Sequence, residues 1–235
     1  MLDQLLQLDE NIFLALNSIR SPFFDRALFM FSGRFAWALM YGTMLYALFK
    51  GFRNWKTALT WTLVTILAIV LADQICASVL RPYFERLRPA HPENPLSQFV
   101  NIVNDYRGGR YGFPSCHAAN SFALATVTSL IWRGSRIRWF LFIWAALNSY
   151  SRVYLGVHYP GDLLTGAILG CIFGAIAYAP GYFITRKIAG GNREQMLPIS
   201  RSASLGRLRF HYRNIDIAII IGIATTLEII LIAMK

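Results

Sequence analysis

"TALTWTLVTILAIVLADQICASVLRPYFERLRP", residues 57–89, carries one charged side chain, Asp73, in its first 24 positions, then three arginines and a glutamate in its last nine. About 20 apolar residues suffice for an α-helix to cross a bilayer. The stretch therefore reads as a span over 57–80 that ends abruptly in a polar cluster at a membrane surface. Five more segments of similar character lie at roughly 27–49, 117–132, 138–155, 162–185 and 215–234. The first of these has a start signal in Ser21-Pro22, a capping serine followed by a proline suited to the first helical turn. The expected fold class is all-α: an integral membrane bundle of about six transmembrane helices.

Composition agrees. Apolar residues make up 55% of the 235 and charged residues only 15%, where soluble domains carry roughly 25% charged residues. The net charge of +11 sits in short clusters between apolar runs, as membrane proteins distribute it, which argues against a nucleic-acid partner. Three cysteines are too few and too scattered for a disulfide framework. Cys76 and Cys171, inside apolar runs, read as small core residues. The N-terminus shows neither a basic n-region nor a small-residue cleavage site, so no removable signal peptide is expected.

Ahead of the first span, residues 1–20 place leucine or isoleucine at 2, 5, 6, 12 and 16 and acids at 3, 9 and 10. This pattern predicts an amphipathic helix lying in the membrane interface, and the acids argue against a span. The chain then divides into that helix, a membrane core over 21–185, a basic loop over 186–213 and a C-terminal transmembrane helix over 214–235.

Lys50, Arg53 and Lys56 separate the first two spans, and Arg133, Arg136 and Arg138 the third and fourth. Residues 186–213 hold Arg186, Lys187, Arg193, Arg201, Arg207, Arg209 and Arg213 against a single acid, Glu194. Alternating spans put all three regions on one side, cytoplasmic by the positive-inside rule. The last reads as a solvated loop that fixes topology, with binding to anionic headgroups as the sharper alternative. The opposite side holds 81–116 and 156–161, and with them every candidate catalytic residue.

Three polar clusters interrupt the apolar chain on that side. In "RPYFERLRP", residues 81–89, Arg81 and Arg88 are seven apart. If the second helix continues through them, they share a face about two turns apart, unless Pro82 kinks it; alternatively, both snorkel at the interface. "FPSCHAANSF", residues 113–122, sets Ser115, Cys116 and His117 where the third span begins. "SRVYLGVHYPGD", residues 151–162, closes the fourth span with Arg152, and Pro160-Gly161 turns the chain between His158 and Asp162. A carboxylate on one imidazole nitrogen fixes the tautomer and leaves the other free to attack. Taken singly, Asp162 reads equally well as a helix cap and His158 as an interfacial histidine. Taken together, three arginines, two histidines, a serine and an aspartate on one face call for a bound phosphate, which guanidinium forks and a helix N-terminus both favour.

These motifs resemble those of the type-2 phosphatidic acid phosphatase (PAP2) family, relatives of the vanadium haloperoxidases. The family pattern is K-x6-R-P, P-S-G-H and S-R-x5-H-x3-D. The chain reads Arg81-x6-Arg88-Pro89, Pro114-Ser115-Cys116-His117 and Ser151-Arg152-x5-His158-x3-Asp162, in the same order and spacing. Arg81 replaces the usual lysine and Cys116 the usual glycine. The arginine keeps the charge. The cysteine is tolerated only if the position does not need a positive φ.

The resemblance implies that His158 attacks phosphorus to form a phosphohistidine, with Asp162 orienting it. It implies that His117 protonates the leaving group and then activates water. Arg81, Arg88, Arg152, Ser115 and the backbone N–H of Cys116 would hold the phosphoryl oxygens. No metal and no cofactor is expected, and Cys116–His117 is a poor metal corner, adjacent ligands with no third nearby. The expected activity is hydrolysis of a lipid phosphomonoester or diphosphate at the outer leaflet, such as lipid A phosphate, undecaprenyl diphosphate, phosphatidylglycerol phosphate or phosphatidic acid. The alternatives are phosphotransfer to a second lipid, or a non-catalytic lipid-phosphate binder or transporter. The haloperoxidase activity is disfavoured, because those relatives are soluble. The expected setting is a bacterial inner membrane, with the site on the periplasmic face and no obligate protein partner. Asp73 and Glu228, inside spans, and Tyr106, Arg107, Arg110 and Tyr111, in the outer loop, complete the polar residues of interest.

Overall fold

A computed structural model of the chain describes residues 1–33, 35–205 and 208–235, with backbone alone for Arg193, 201–205 and 208–212. Residues 57–80 form the helix the sequence demands, which extends past them at both ends. α4 (Trp55–Gln74) starts on Asn54, whose side chain accepts from Lys56 N–H, and passes into a π-helical segment at Ile75–Leu80 and then α5 (Arg81–Phe84). The wide π turns directly precede Pro82, which the helix absorbs without ending. The whole unit, Trp55–Phe84, is long and apolar enough to cross a membrane.

Around it stand α6 (Cys116–Trp132), α7 (Ser135–Tyr154) and α8 (Pro160–Ile188). α4, α6 and α8 pack on one another, and α7 packs on α6. The closest approach is between α6 and α8. A Cβ on Gly166 or Gly170 would collide with the carbonyl oxygens of Ser115 and Ala119, so small residues let the two backbones touch, as in membrane helix pairs generally. α10 (Asp216–Ala233) closes the bundle against α2 (Pro22–Phe31) and α3 (Ala38–Gly51). A short α9 (Arg193–Met196) follows α8.

Four features depart from the sequence reading. The expected first span, 27–49, is two helices: α2 ends at Phe31, and the Trp37 indole N–H caps the Phe31 carbonyl at 2.8 Å. The basic stretch 186–213 holds an antiparallel hairpin, β1 (Ser200–Leu205) with β2 (Leu208–Arg213). Its Arg207 lies outside the described residues, as do the side chains of Arg193, Arg201 and Arg209. Cys171 is only partly buried, whereas Cys76 is fully so. Finally, α1 (Leu2–Asn17) turns Asp9, Phe13 and Asn17 toward α7, α8 and the 85–101 loop, and leaves Leu2, Leu5, Leu8 and Ile12 exposed. Asp9, on the polar side of the helix, faces the protein.

Among the described residues, three helices qualify as spans by length and composition: Trp55–Phe84, Pro160–Ile188 and Asp216–Ala233. α6 is one residue short of eighteen, and α7 carries Arg136, Arg138, Asn148 and Arg152. The ends of the bundle are chemically distinct. α4 begins, α6 ends and α8 ends at the pole bearing Lys56, Arg133, Arg186 and Lys187. The opposite pole carries the residues described next.

Candidate active site

Beyond Phe84, Glu85 takes φ 47° and ψ 26°, and this left-handed residue stops the helix. The chain then runs extended: Arg88 N–H donates to Arg110 O (3.0 Å), Gly112 N–H donates to Arg86 O (2.9 Å), and Leu87 bridges Tyr111. This pairing folds the 85–115 loop over the helix ends and aims Arg86 and Arg88 inward. Arg81 and Arg88 thus do not share a helical face. They converge because the chain reverses between them.

Arg88 is buried, and its guanidinium is held through Nε and Nη1. Nε donates to Tyr111 O (3.1 Å), and Nη1 donates to Val157 O (3.0 Å) and lies 2.8 Å from His158 Nε2. A guanidinium has no acceptor, so His158 Nε2 must be the acceptor, and its proton is on Nδ1. Nδ1 faces Asp162 Oδ2 at 3.2 Å. The tautomer expected for a nucleophile follows from these two contacts. Burial, then the charges of Arg88, Arg152 and Arg81, hold His158 well below its ordinary 6.5. Burial and the charges of Arg81 and Arg152 lower Arg88 to about 10. The cluster gains from any anion that enters it. We expect the His158 imidazole signals in NMR spectra of the free protein to stay at their neutral positions from pH 7.5 to 5.5; a midpoint near 6.5 would contradict this environment.

Asp162 is fully buried at the third position of α8. Its Oδ2 also accepts from Tyr159 N–H (3.0 Å), so it caps the helix from within, and its Oδ1 accepts from Arg86 Nη1 (3.0 Å). Gly112 lies directly over this group: a Cβ there would sit 3.1 Å from Asp162 Oδ2 and 3.5 Å from His158 Nδ1.

Ser115 is the N-cap of α6. Its Oγ accepts from Ala118 N–H, and its own N–H donates to Asp162 O (3.0 Å), which ties the start of α6 to α8. Cys116 is the first helical residue and does not take a positive φ, so a side chain costs nothing there. Its Sγ points at Asp73 O (3.8 Å). Arg81 reaches Pro114 O through Nε (3.3 Å). Arg152 donates to Ser32 Oγ (3.2 Å) and Tyr106 OH (3.0 Å), while its buried Nε has no hydrogen-bond partner among the described residues. That donor is available to a phosphoryl oxygen. No group of three His, Cys, Asp or Glu side chains among the described residues is arranged to hold a metal ion.

His117 hydrogen-bonds an amide rather than an arginine or a carboxylate. Its Nε2 lies 3.1 Å from Asn148 Oδ1, and Asn148 Nδ2 donates to Ser121 Oγ (2.9 Å). With Nε2–H donating, Nδ1 is the nitrogen left to exchange a proton. His117, Asn148 and Ser121 also head a cavity of about 450 Å³ that runs between α3, α4, α6 and α7 as far as Leu48 and Trp132. Leu45 and Ile66 line it and are exposed on the outer surface, so it reaches the flank of the bundle between α3 and α4.

Sequence reasoning missed Arg86, Gly112 and Asn148. Arg86 was in plain view between Arg81 and Arg88, and Asn148 is an amide in an apolar helix, itself a functional signal. Other polar residues serve the scaffold. Asp73 accepts from Asn120 of α6 (2.9 Å), Arg107 donates to Ala90 O, and Arg110 pairs with Glu93. Glu228 faces outward from α10.

A family profile described as "PAP2 superfamily" matches residues 61–185. The chain is 46% identical over 188 residues to the lipid A 4'-phosphatase of Bacteroides thetaiotaomicron, covering 80% of this chain and 83% of that one. It is 34% identical over 177 residues to the Porphyromonas gingivalis protein of the same name, covering 75% and 74%. The crystal structure of Aquifex aeolicus LpxE superposes with a TM-score of 0.50 at 28% identity, over 71% of this chain and 92% of that one. The Bacillus subtilis phosphatidylglycerolphosphate phosphatase superposes at 0.58 and 23% identity, over 78% and 89%, and so shares the fold. Profile, relatives and the three motifs gathered at one pole agree: the chain belongs to the PAP2 superfamily and is a phosphoric ester hydrolase embedded in a membrane.

Proposed function

We propose that this protein removes the 4'-phosphate from a lipid A-type glycolipid at the extracytoplasmic face of a bacterial inner membrane. The observation that carries the lipid part of this reading is the apolar cavity headed by His117. A leaving group protonated there has room for an acyl chain beside it, reached from the flank of the bundle. The two relatives named above support the 4'-phosphate. The orientation is supported by the basic pole carrying Lys56, Arg133, Arg186 and Lys187 opposite the site. With that orientation, the exposed leucines of α1 rest in the outer interface, consistent with an interfacial helix.

The chemistry runs in two steps. Phosphate enters among Arg81, Arg88 and Arg152 and draws the Arg88 guanidinium off His158 Nε2. Nε2 then attacks phosphorus, the bond from phosphorus to the sugar oxygen breaks, and His117, which carries a proton on Nδ1 as well as on Nε2 while the phosphate's negative charge lies beside it, gives its Nδ1 proton to that oxygen. Nδ1–H stays on Asp162, which offsets the charge that develops on the ring. Water next attacks the phosphohistidine, passes its proton to His117 and releases inorganic phosphate, restoring both histidines. Ser115, the Cys116 N–H and the arginines hold the phosphoryl oxygens throughout.

The test is phosphate release by purified protein from lipid A carrying only the 4'-phosphate, lipid A carrying only the 1-phosphate, undecaprenyl diphosphate and phosphatidic acid, each with chelator present. Release from the 4'-monophosphate at least about tenfold faster than from the others is expected. Equal rates across the panel overturn the 4' assignment, and loss of activity on chelation overturns the metal-free chemistry.

A further inference from the structure

The salt bridge on the far side of Asp162 leads to the N-terminal helix. Arg86 Nη1 donates to Asp162 Oδ1 (3.0 Å), and Arg86 Nη2 approaches Asp9 Oδ2 to 2.8 Å, an ion pair rather than an in-line hydrogen bond. Asp9 Oδ1 accepts from Gly161 N–H (2.7 Å), the residue immediately before Asp162. Arg86 Cζ lies 3.9 Å from the centre of the Tyr159 ring, whose hydroxyl accepts from Asn94 (2.9 Å). The Asp162 side chain is fully buried, and those of Arg86 and Asp9 are 18% and 15% exposed. A Cβ on Gly161 would come 2.8 Å from Asp9 Oδ2. The close approach of α1 to the first turn of α8 therefore depends on a glycine at that point.

We propose that Asp9 and Arg86 are positioning residues for His158: a carboxylate–guanidinium–carboxylate–imidazole chain that runs from α1 to the nucleophile and makes the N-terminal helix part of the catalytic apparatus. This rests on the reading of His158 as the nucleophile. Asp162 has two oxygens to place. Oδ2 serves both His158 and the helix N-cap, so its direction depends on what holds Oδ1. Among the described residues Arg86 alone holds Oδ1, and the plane of that guanidinium is set on one side by Asp9 and on its face by Tyr159. Between two carboxylates, Arg86 also offsets the repulsion that Asp9 and Asp162 would otherwise feel. α1 has a separate anchor in Asn17, whose amide donates to Tyr154 O (2.9 Å) and whose oxygen accepts from Asn101 N–H (2.8 Å). Asp9 is therefore not needed merely to dock the helix. Lysine at 86 would keep the charge but lack the fork that reaches both acids.

The experiment compares Asp9→Asn, Arg86→Met, Arg86→Lys and the Asp9→Asn/Arg86→Met double variant in the full-length protein, with kcat, KM and melting temperature measured for each. Removing partners that orient a metal-bound imidazole costs about 10- to 100-fold, and a nucleophilic imidazole depends on its orientation in the same way. A kcat loss of that size is expected for Arg86→Met, a smaller loss for Asp9→Asn and partial recovery with Arg86→Lys, all with KM within about twofold. The double variant should be no slower than Arg86→Met alone, because Asp9 acts through Arg86. The proposal is overturned if both single variants keep kcat within about twofold, if the losses multiply in the double variant, or if only melting temperature or KM moves. Should Arg86→Met not fold, the isosteric Asp9→Asn decides by the same kcat criterion. His158→Ala, assayed alongside, separates the two readings: activity in that variant removes the nucleophile assignment itself, whereas an inactive His158→Ala with unaffected Asp9 and Arg86 variants removes only the chain.

Discussion

Replacing His158 with alanine is expected to lower phosphate release by at least about 10,000-fold while the protein remains folded in the membrane. Losses of this order follow removal of a nucleophile that works as a unit with its partners. The structure supplies the reason. Nε2 is the only ring nitrogen not engaged with Asp162, and it is held 2.8 Å from the guanidinium that a phosphate would displace. Alanine leaves the phosphate-binding arginines in place, so binding of a lipid phosphate should survive. The measurement is paired: phosphate release, and acid-labile, base-stable labelling of the protein from a radiolabelled substrate. Both should vanish. Release without labelling in the unaltered protein, or residual release above about one part in a hundred in the variant, would mean that water attacks phosphorus directly.

The second large effect concerns His117 and depends on the leaving group. His117→Gln should lower kcat on a lipid phosphate by about 100- to 10,000-fold, the range associated with general acid–base catalysis. The sugar alkoxide it protonates is a poor leaving group, whereas a nitrophenolate departs without help. On an aryl phosphate, the same variant should therefore lose far less in the phosphorylation step, and the phosphohistidine should accumulate, because the water that clears it also needs a base. Equal losses on both substrates would assign His117 to phosphate binding instead. Glutamine is the appropriate replacement because Asn148 can still hydrogen-bond an amide there, which keeps the polar wall at the head of the cavity.

The site was legible in the sequence to the extent that its residues fall in spaced motifs. His117, His158, Asp162, Ser115, Arg81, Arg88 and Arg152 all come to one pole, and the Asp162–His158 pairing follows from four residues of separation around Pro160-Gly161. Cys116 takes a helical conformation, so its departure from the usual glycine is sterically mild. The manner of convergence was not legible. The seven-residue separation of Arg81 and Arg88 suggested two turns of helix, but one left-handed residue, Glu85, ends the helix and sends Arg88 into an extended segment paired with 110–112. A single φ value of that kind leaves no periodic trace. Arg86 was invisible for the same reason: its importance lies in contacts to Asp9 and Asp162, 77 and 76 residues away in the chain. The role of Asp9 was not legible, because amphipathic periodicity separates polar from apolar faces but cannot say whether the polar face meets water or a half-buried arginine.

What the sequence determined by itself is the solvent and the chemistry. Long apolar runs with most charges between them require a membrane, since no other environment hides so much apolar surface, and guanidinium and imidazole groups crowded at one end require an anion. Tertiary structure alone decided which helices touch, through the contact of α6 and α8 at Gly166 and Gly170. It also decided how the loop 85–115 turns two arginines inward, and that α1 closes the charge chain behind Asp162. These are outcomes of packing between segments far apart in sequence, where the energy depends on shape and distance rather than on the order of residues.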